Sequence, residues 1–361
     1  MKKILISPAK YLQGNNELSN LGTYVKDFGQ SALLVAHPDD QSRIQMHLDE
    51  AKNRESFELV YAGFSGECTK VEIERLRKIC IENKCDVIIG LGGGKALDAA
   101  KATSHYESKP VIVVPTIAST DAPCSSLAVI YTENGEFDEY MFFKKNPDLV
   151  LVDTGVIAKA PARFLVAGMG DALSTYFEAR SCEKSFANNI PGGNSTKAAI
   201  AVAKLCYETL LEDSLKAKAA CERNVVTPAL ENIIEANILL SGLGFESSGL
   251  AAAHAIHNGL TVLDETHHYF HGEKVAFGTI VHLVLENAPS SELNTVIDYC
   301  KSVGLPTCLK DLGITEVTEE KIMAVANASC AEGETIHNMP FVVTPEAVYA
   351  AILTADQLGG K

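Results

Sequence analysis

Asp86-Val87-Ile88-Ile89-Gly90-Leu91-Gly92-Gly93-Gly94-Lys95-Ala96-Leu97-Asp98 passes from an apolar strand through three consecutive glycines into a helix-forming run. The strand portion shows no polar alternation, so both of its faces must be covered, as in a parallel sheet with helices on either side. Glycines let a backbone approach a pyrophosphate closely, and free N–H groups at a helix start favour anions. The pattern is neither the P-loop G-x-x-x-x-G-K-[ST] nor the usual dinucleotide G-x-G-x-x-G. A tight turn with no ligand is the bland alternative, but three glycines in a row cost conformational entropy that an empty turn does not return. Lys95 and Asp98 add polar groups at the helix start, and a solvated surface lysine is the bland alternative for Lys95.

Outward from this turn, strand-like and helix-like segments alternate. Residues 32–36, 57–61, 111–114 and 149–153 are short apolar runs, and residues 69–84 carry a helical apolar stripe. Asn134-Gly135 between two β-rich runs predicts a hairpin. Beyond about residue 154 the segments become long and rich in Ala, Leu and Glu: 171–182, 195–211, 227–243, 249–262 and 275–286 all read as helix. The expected architecture is an α/β, Rossmann-like parallel-sheet domain over residues 1–160, followed by an all-α domain over residues 161–361. A cleft between them is the expected ligand site.

The chain has 361 residues, 47% of them apolar, which suits two domains and rules out disorder as the main state. Its 31 basic against 46 acidic residues leave a net charge of −15, which argues against nucleic acid and anionic lipid as partners. No apolar run approaches the ~18 residues of a membrane span. The start is too weakly apolar for a signal peptide. Ten cysteines lie between Cys68 and Cys330 with no C-x-x-C pair, so reduced thiols and a cytoplasmic setting are expected.

Two further groups of residues carry chemistry. Pro115-Thr116-Ile117-Ala118-Ser119-Thr120-Asp121-Ala122-Pro123-Cys124-Ser125-Ser126 follows a strand at its C-terminal end, where open α/β sheets bind ligands. In the helical half stand Gly170-Asp171, His254-Ala255-Ile256-His257 and His267-His268-Tyr269-Phe270-His271. One Asp and two His with an open position suit a catalytic Zn²⁺ or Fe²⁺. Spacing alone does not choose between His254 and His257, which share a helix face, and His267 and His268 read equally well as solvated.

Taken together, Gly92-Gly93-Gly94-Lys95-x-x-Asp98, Pro115-Thr116-x-Ala118-Ser119-Thr120-Asp121, Gly170-Asp171-Ala172, His254-x-x-His257-Asn258 and His271-Gly272-Glu273-x-Val275 resemble the glycerol dehydrogenase family of the iron-containing (group III) alcohol dehydrogenase superfamily. The resemblance runs over nearly the whole chain, in order. It implies metal-dependent, NAD-linked oxidation of glycerol to dihydroxyacetone. It implies Asp171, His254 and His271 as metal ligands, with His254 also near substrate, and Asp121 on the substrate hydroxyls. For the dinucleotide it implies His37, Gly92, Gly93, Gly94, Lys95, Ala96, Leu97, Asp98, Thr116, Ile117, Ala118, Ser119, Ser125, Leu127 and Tyr131. It also implies a homo-oligomer, often an octamer. The family usually carries Asp where His37 stands. That departure leaves NAD against NADP open, although Asp39 and Asp40 would repel a 2′-phosphate.

Three neighbouring activities compete. A reductase of another hydroxyketone or aldehyde would run the same chemistry backward. A dehydroquinate synthase-like lyase, or a glycerol-1-phosphate dehydrogenase, would need several basic residues for phosphate, and the loops here carry hydroxyls, Asp121 and Lys95 instead. A non-catalytic sensor on the same scaffold would not need Asp171, His254 and His271 together.

Overall fold

The computed structural model describes residues 2–361 and divides the chain into two compact units. The α/β unit comprises Ser7–Pro161 with Ala220–Ile234; the helical unit comprises the segment up to Ile6, Ala162–Ala219 and Glu235–Lys361. The main break falls at Pro161, but the division is not contiguous as the sequence suggested. Ile6 N–H donates to Ser247 Oγ at 3.2 Å and Ile4 N–H to Asn194 O at 3.2 Å, which ties the N-terminal segment to the helical unit. Conversely, Cys221 Sγ lies 3.6 Å from Ala160 O, and Gln13 Nε2 donates to Glu231 O at 3.0 Å.

The α/β unit carries strands β1 (Tyr11–Gly14), β2 (Ser31–Ala36), β3 (Glu58–Gly63), β4 (Val87–Gly92), β5 (Val111–Pro115), β6 (Leu127–Tyr131), β7 (Phe137–Phe142) and β8 (Leu149–Asp153). Its helices are α1 (Leu21–Lys26), α2 (Pro38–Arg54), α3 (Lys70–Glu82), α4 (Gly94–Glu107) and α5 (Thr154–Ala158). Six strands form a parallel sheet in the order β1-β8-β5-β4-β2-β3. Strands β2, β4, β5 and β8 are buried along their whole length, as uniformly apolar strands covered on both faces must be. The chain runs outward in opposite directions on either side of the β2/β4 pair, and such a reversal opens a crevice at the C-terminal strand ends. There Ala36 lies opposite Leu91 and Gly92 opposite Pro115.

One sheet face packs Leu34, Ile89, Ile112 and Leu151 against Leu18, Leu21, Ile44 and Leu48. Helix α4 covers β4 and β5 on the other. Strands β6 and β7 form the expected hairpin, with Gly135 at a φ of +81° in the connecting turn. Helix α2 follows β2 at once: His37 is its N-cap and Pro38 its first residue, a place where the missing N–H costs nothing. Strand β1 has no apolar run to announce it and sits at the sheet edge beside β8.

The helical unit begins with α6 (Ala162–Ser185) and α7 (Lys197–Glu222, its last turn in the other unit). Helix α8 (Pro228–Glu235) continues through a π turn at Ala236–Leu240 into α9 (Ser241–Ser248). Then come α10 (Ala252–Leu260), α11 (His271–Leu285), α12 (Ser290–Val303), α13 (Glu319–Ser329) and α14 (Pro345–Gly359). Helix α11 is its centre and packs on α6, α10, α12 and α14. All but three of its residues are buried, which a near-uniformly apolar helix requires.

Asp153, 1% exposed, joins the strand end to two neighbouring turns. It accepts from the N–H groups of Gly155 at 2.9 Å, Val156 at 3.1 Å, Asn16 at 3.2 Å and Leu18 at 2.9 Å. Asp153→Ala strands these four donors and should lower stability by about 3 kcal/mol. Urea unfolding followed by circular dichroism checks this: the midpoint should fall with little change in slope.

Candidate metal centre and nucleotide cradle

Helices α6, α10 and α11 each contribute one side chain to a single point. Asp171 lies on α6, His254 on α10, and His271 is the first residue of α11. His271 Nε2 is 3.1 Å and His254 Nε2 3.5 Å from Asp171 Oδ1. One ligand atom from each of the three lies within 4.8 Å of the others. Glycine makes the approach possible. A Cβ on Gly272 would stand 1.8 Å from Ala167 O, and one on Gly170 would stand 2.3 Å from Gly272 O. The pairs Gly170-Asp171 and His271-Gly272 therefore bring two helix backbones into contact beside the residues that carry the chemistry.

The donor set itself tests whether a cation fits. One carboxylate oxygen and two imidazole nitrogens converge, leaving further positions open, and this is an ordinary set for Zn²⁺ or Fe²⁺. Burial pushes the Asp171 carboxyl up, but the charge of His271 and hydrogen bonds from both histidines override it and hold the group well below the ordinary carboxylate range. Burial opposes the charged form of His254, and the Glu178 carboxylate overrides that and raises it well above the ordinary value. His257 is driven the other way, by burial first and by the charge of His271 second. The geometry separates the two candidates on α10: His257 Nε2 contacts His271 Nδ1 at 3.0 Å, behind the converging atoms, while His254 faces Asp171. His267 lies apart and exposed, with Nε2 2.9 Å from Thr261 O.

In the α/β unit, the glycine-rich turn caps the crevice edge. Gly92 takes a φ of +140°, and its would-be Cβ points at Asp40 Oδ2, 3.2 Å away. Gly93 is the N-cap of α4 and supplies no side-chain cap, so first-turn N–H groups are left for a ligand. A Cβ on Gly93 would press on Ile117 Cδ1 at 3.3 Å. Lys95 is not a free lysine: its Nζ lies 2.5 Å from Glu67 Oε2 and 4.9 Å from the centre of the Tyr131 ring.

Several residues expected to line the cradle are buried or engaged within the unit. Ala96 and Leu97 are buried, and so are Thr116 and Ala118. Asp98 is spoken for by Lys101 Nζ at 2.9 Å and by Val129 N–H at 3.0 Å. Lys101, only 3% exposed, also donates to Ala122 O at 3.0 Å, Ser125 Oγ at 3.3 Å and Leu127 O at 2.5 Å. It thus ties α4 to the hydroxyl-rich loop and to β6, and Ser125 and Leu127 serve that tie. Sequence reasoning passed over Lys101; its signal was an i, i+3 Asp–Lys pair on an alanine-rich helix. It also left Asp39 and Asp40 undivided. The Asp39 side chain is 94% exposed, whereas Asp40 accepts from Thr116 Oγ1 at 3.2 Å beside Gly92. His37 is occupied as a helix cap, its Nδ1 accepting from Asp39 N–H at 3.3 Å.

Comparison with known proteins places the chain among alcohol dehydrogenases. Residues 8–154 match the family described as iron-containing alcohol dehydrogenase. The chain is 54% identical over 359 residues to a glycerol dehydrogenase of Citrobacter freundii, covering 99% of this chain and 98% of that one. It is 46% identical over 361 residues to a glycolaldehyde reductase of Halobacterium salinarum, covering 100% and 99%. The crystal structure of glycerol dehydrogenase from Schizosaccharomyces pombe superposes with a TM-score of 0.96 at 41% identity, covering 99% of this chain and 91% of that one.

Two substitutions test the geometry. Gly272→Ala should force α6 and α11 apart, costing about 1–3 kcal/mol and weakening Zn²⁺ uptake, read by thermal melts with and without the ion. Lys101→Met should leave the buried Asp98 charge without its cation and cost about 3–5 kcal/mol, with weaker NADH binding in a fluorescence titration. Adding Asp98→Asn to that variant should recover much of the stability.

Proposed function

The chain belongs to the iron-containing alcohol dehydrogenase family, and we propose that within it the protein is a metal-dependent, NAD-linked glycerol dehydrogenase that oxidises glycerol and related vicinal diols, glycerol giving dihydroxyacetone. The observation that carries this reading is the convergence of Asp171, His254 and His271 on one point. When bound, a divalent cation supplies Lewis acidity toward the substrate hydroxyl, and NAD supplies the hydride acceptor.

The chain's own residues do the rest. Asp171 brings one negative charge and the histidines none when neutral, so the site keeps a net positive character that suits an oxygen losing its proton. With three protein ligands, positions remain for two hydroxyls of a diol, which favours a polyol over a simple alcohol. Asp121 is assigned to the substrate hydroxyls as an acceptor. The backbone N–H groups of Gly94 and Lys95 are assigned to the pyrophosphate. Thr116, Ile117, Ala118, Ser119 and Tyr131 are assigned to the surrounding wall. Asp40, beside Gly92, is the better placed of the two acids for a ribose hydroxyl, and its charge favours NAD over NADP.

Zn²⁺ is the favoured ion, since a carboxylate and two imidazoles with an open position is a common catalytic zinc set; Fe²⁺ takes the same donors. Ten cysteines outside any disulfide, nine of them buried, support a reducing, cytoplasmic setting. No helix among the described residues is long and apolar enough to cross a membrane. A homo-oligomer, with the octamer implied by the family resemblance as one form, completes the proposal. A second reading, reduction of a short hydroxyaldehyde, is favoured by the similarity to the Halobacterium salinarum glycolaldehyde reductase.

A steady-state screen separates the two. Glycerol, 1,2-propanediol and 2,3-butanediol with NAD or NADP, and glycolaldehyde and dihydroxyacetone with NADH, are compared with and without added Zn²⁺. The proposal expects the highest kcat/KM in oxidation for glycerol with NAD. A kcat/KM for glycolaldehyde reduction far above that for dihydroxyacetone moves the assignment to the reductase. His271→Ala should lose nearly all turnover, well beyond the ~10–100-fold that follows loss of an outer hydrogen bond, yet keep NADH binding. Full activity in that variant after chelation would exclude the metal mechanism.

A further inference from the structure

We infer that each imidazole of the triad is locked in its ligating tautomer by its own carboxylate: His254 directly by Glu178, and His271 by Glu334 acting through His257 and Asn258. The inference rests on the metal reading of the triad and assigns four positioning residues that the reading does not itself require.

Glu178 stands seven residues after Asp171 on α6 and is fully buried. Its Oε1 accepts from the N–H groups of Ala251 at 2.8 Å and His254 at 3.0 Å. These open helix α10, whose own N-cap residue, Ala251, provides no side-chain acceptor. Glu178 therefore caps α10 from another helix, and the cap fixes which oxygen remains. That oxygen, Oε2, meets His254 Nδ1 at 2.6 Å. A carboxylate has no proton to give, so Nδ1 must carry the hydrogen, and Nε2, on the Asp171 side, is the nitrogen left to give up its proton and ligate when a cation binds.

The second chain reads from its far end. Asn258 Nδ2 lies 3.0 Å and 3.3 Å from the two oxygens of Glu334. Those oxygens only accept, so the amide nitrogen faces them and the amide oxygen faces His257 Nδ1, 3.0 Å away. His257 Nδ1 then bears the hydrogen, and its Nε2 is left as an acceptor. At 3.0 Å from that acceptor, His271 Nδ1 must donate, which makes Nε2, 3.1 Å from Asp171, the nitrogen that ligates when a cation binds. Every orientation along this path follows from one carboxylate at its end. Histidine ligands elsewhere commonly donate their second N–H to a carboxylate, and losing such a partner costs ~10–100-fold in metal affinity. Here one histidine has the partner directly and the other at the end of a relay.

Glu178→Gln is the sharpest probe. With its carbonyl oxygen held by the two backbone N–H groups, the glutamine would turn NH₂ toward His254 Nδ1 and force the ring hydrogen onto Nε2. Asn258→Leu cuts the second chain without touching α6. The full-length chain is stripped of metal, Zn²⁺ affinity is measured by competition with a chromogenic chelator, and Co²⁺ absorption reports the ligand field. Both variants should bind Zn²⁺ about 10–100-fold more weakly, with a shifted Co²⁺ band and unchanged NADH affinity. Wild-type binding abolished by Asp171→Asn, but unchanged within about twofold by both Glu178→Gln and Asn258→Leu, would overturn the inference while leaving the site intact. Wild-type protein that takes up no Zn²⁺, or whose uptake survives Asp171→Asn, would instead overturn the metal reading beneath it. A loss in only one of the two variants would overturn the half assigned to the other.

Discussion

A carboxylate at 1% exposure is costly to bury, and Asp171 is tolerated because two imidazoles meet it. Much of the helical unit serves that encounter. Gly170 and Gly272 remove the side chains that would hold α6 and α11 apart. The start of α10 is anchored to α6 by Glu178, so His254 cannot drift independently of Asp171. Three helices distant in sequence are thus held at one point by backbone contact and hydrogen bonds to fixed donors, with little left to flexible side chains. Preorganisation of this kind lets a Lewis acid act without first rearranging its ligands.

The α/β unit obeys a different constraint. The turn from β4 into α4 is made of backbone, so side chains must stay out of the way while something holds it in place. The buried Asp98–Lys101 pair does this, binding α4 to the loop after β5 and to β6. A buried ion pair adds little net stability, but it defines one arrangement where an apolar contact would allow several. The same logic explains why Ser125, a residue that looks available in a hydroxyl-rich loop, is consumed internally.

Legibility in the sequence followed the strength of the local signal. The uniformly apolar runs at β2, β4, β5 and β8 announced a covered parallel sheet, and the glycines after β4 announced the turn from its C-terminal edge into α4. Strand β1 went unread because edge pairing, not composition, makes it a strand. Helix α2 was hidden because His37-Pro38 reads as a stop unless the proline is recognised as a first helical residue. The ligand types in the helical unit were visible, but spacing could not separate His254 from His257. Only the packing of α10 against α6 does so. Glu178 and Glu334 were invisible for a related reason: a partner that acts through another side chain leaves no spacing pattern, and α6 carries other acids that look the same in one dimension.

The central claim is that one divalent cation sits among Asp171, His254 and His271. Anomalous diffraction from crystals grown with Zn²⁺, recorded on either side of the zinc edge, addresses it without reference to turnover. The account predicts a single strong peak bonded to one Asp171 oxygen and to Nε2 of both histidines. A peak elsewhere, or bonding through His257 in place of His254, would contradict it.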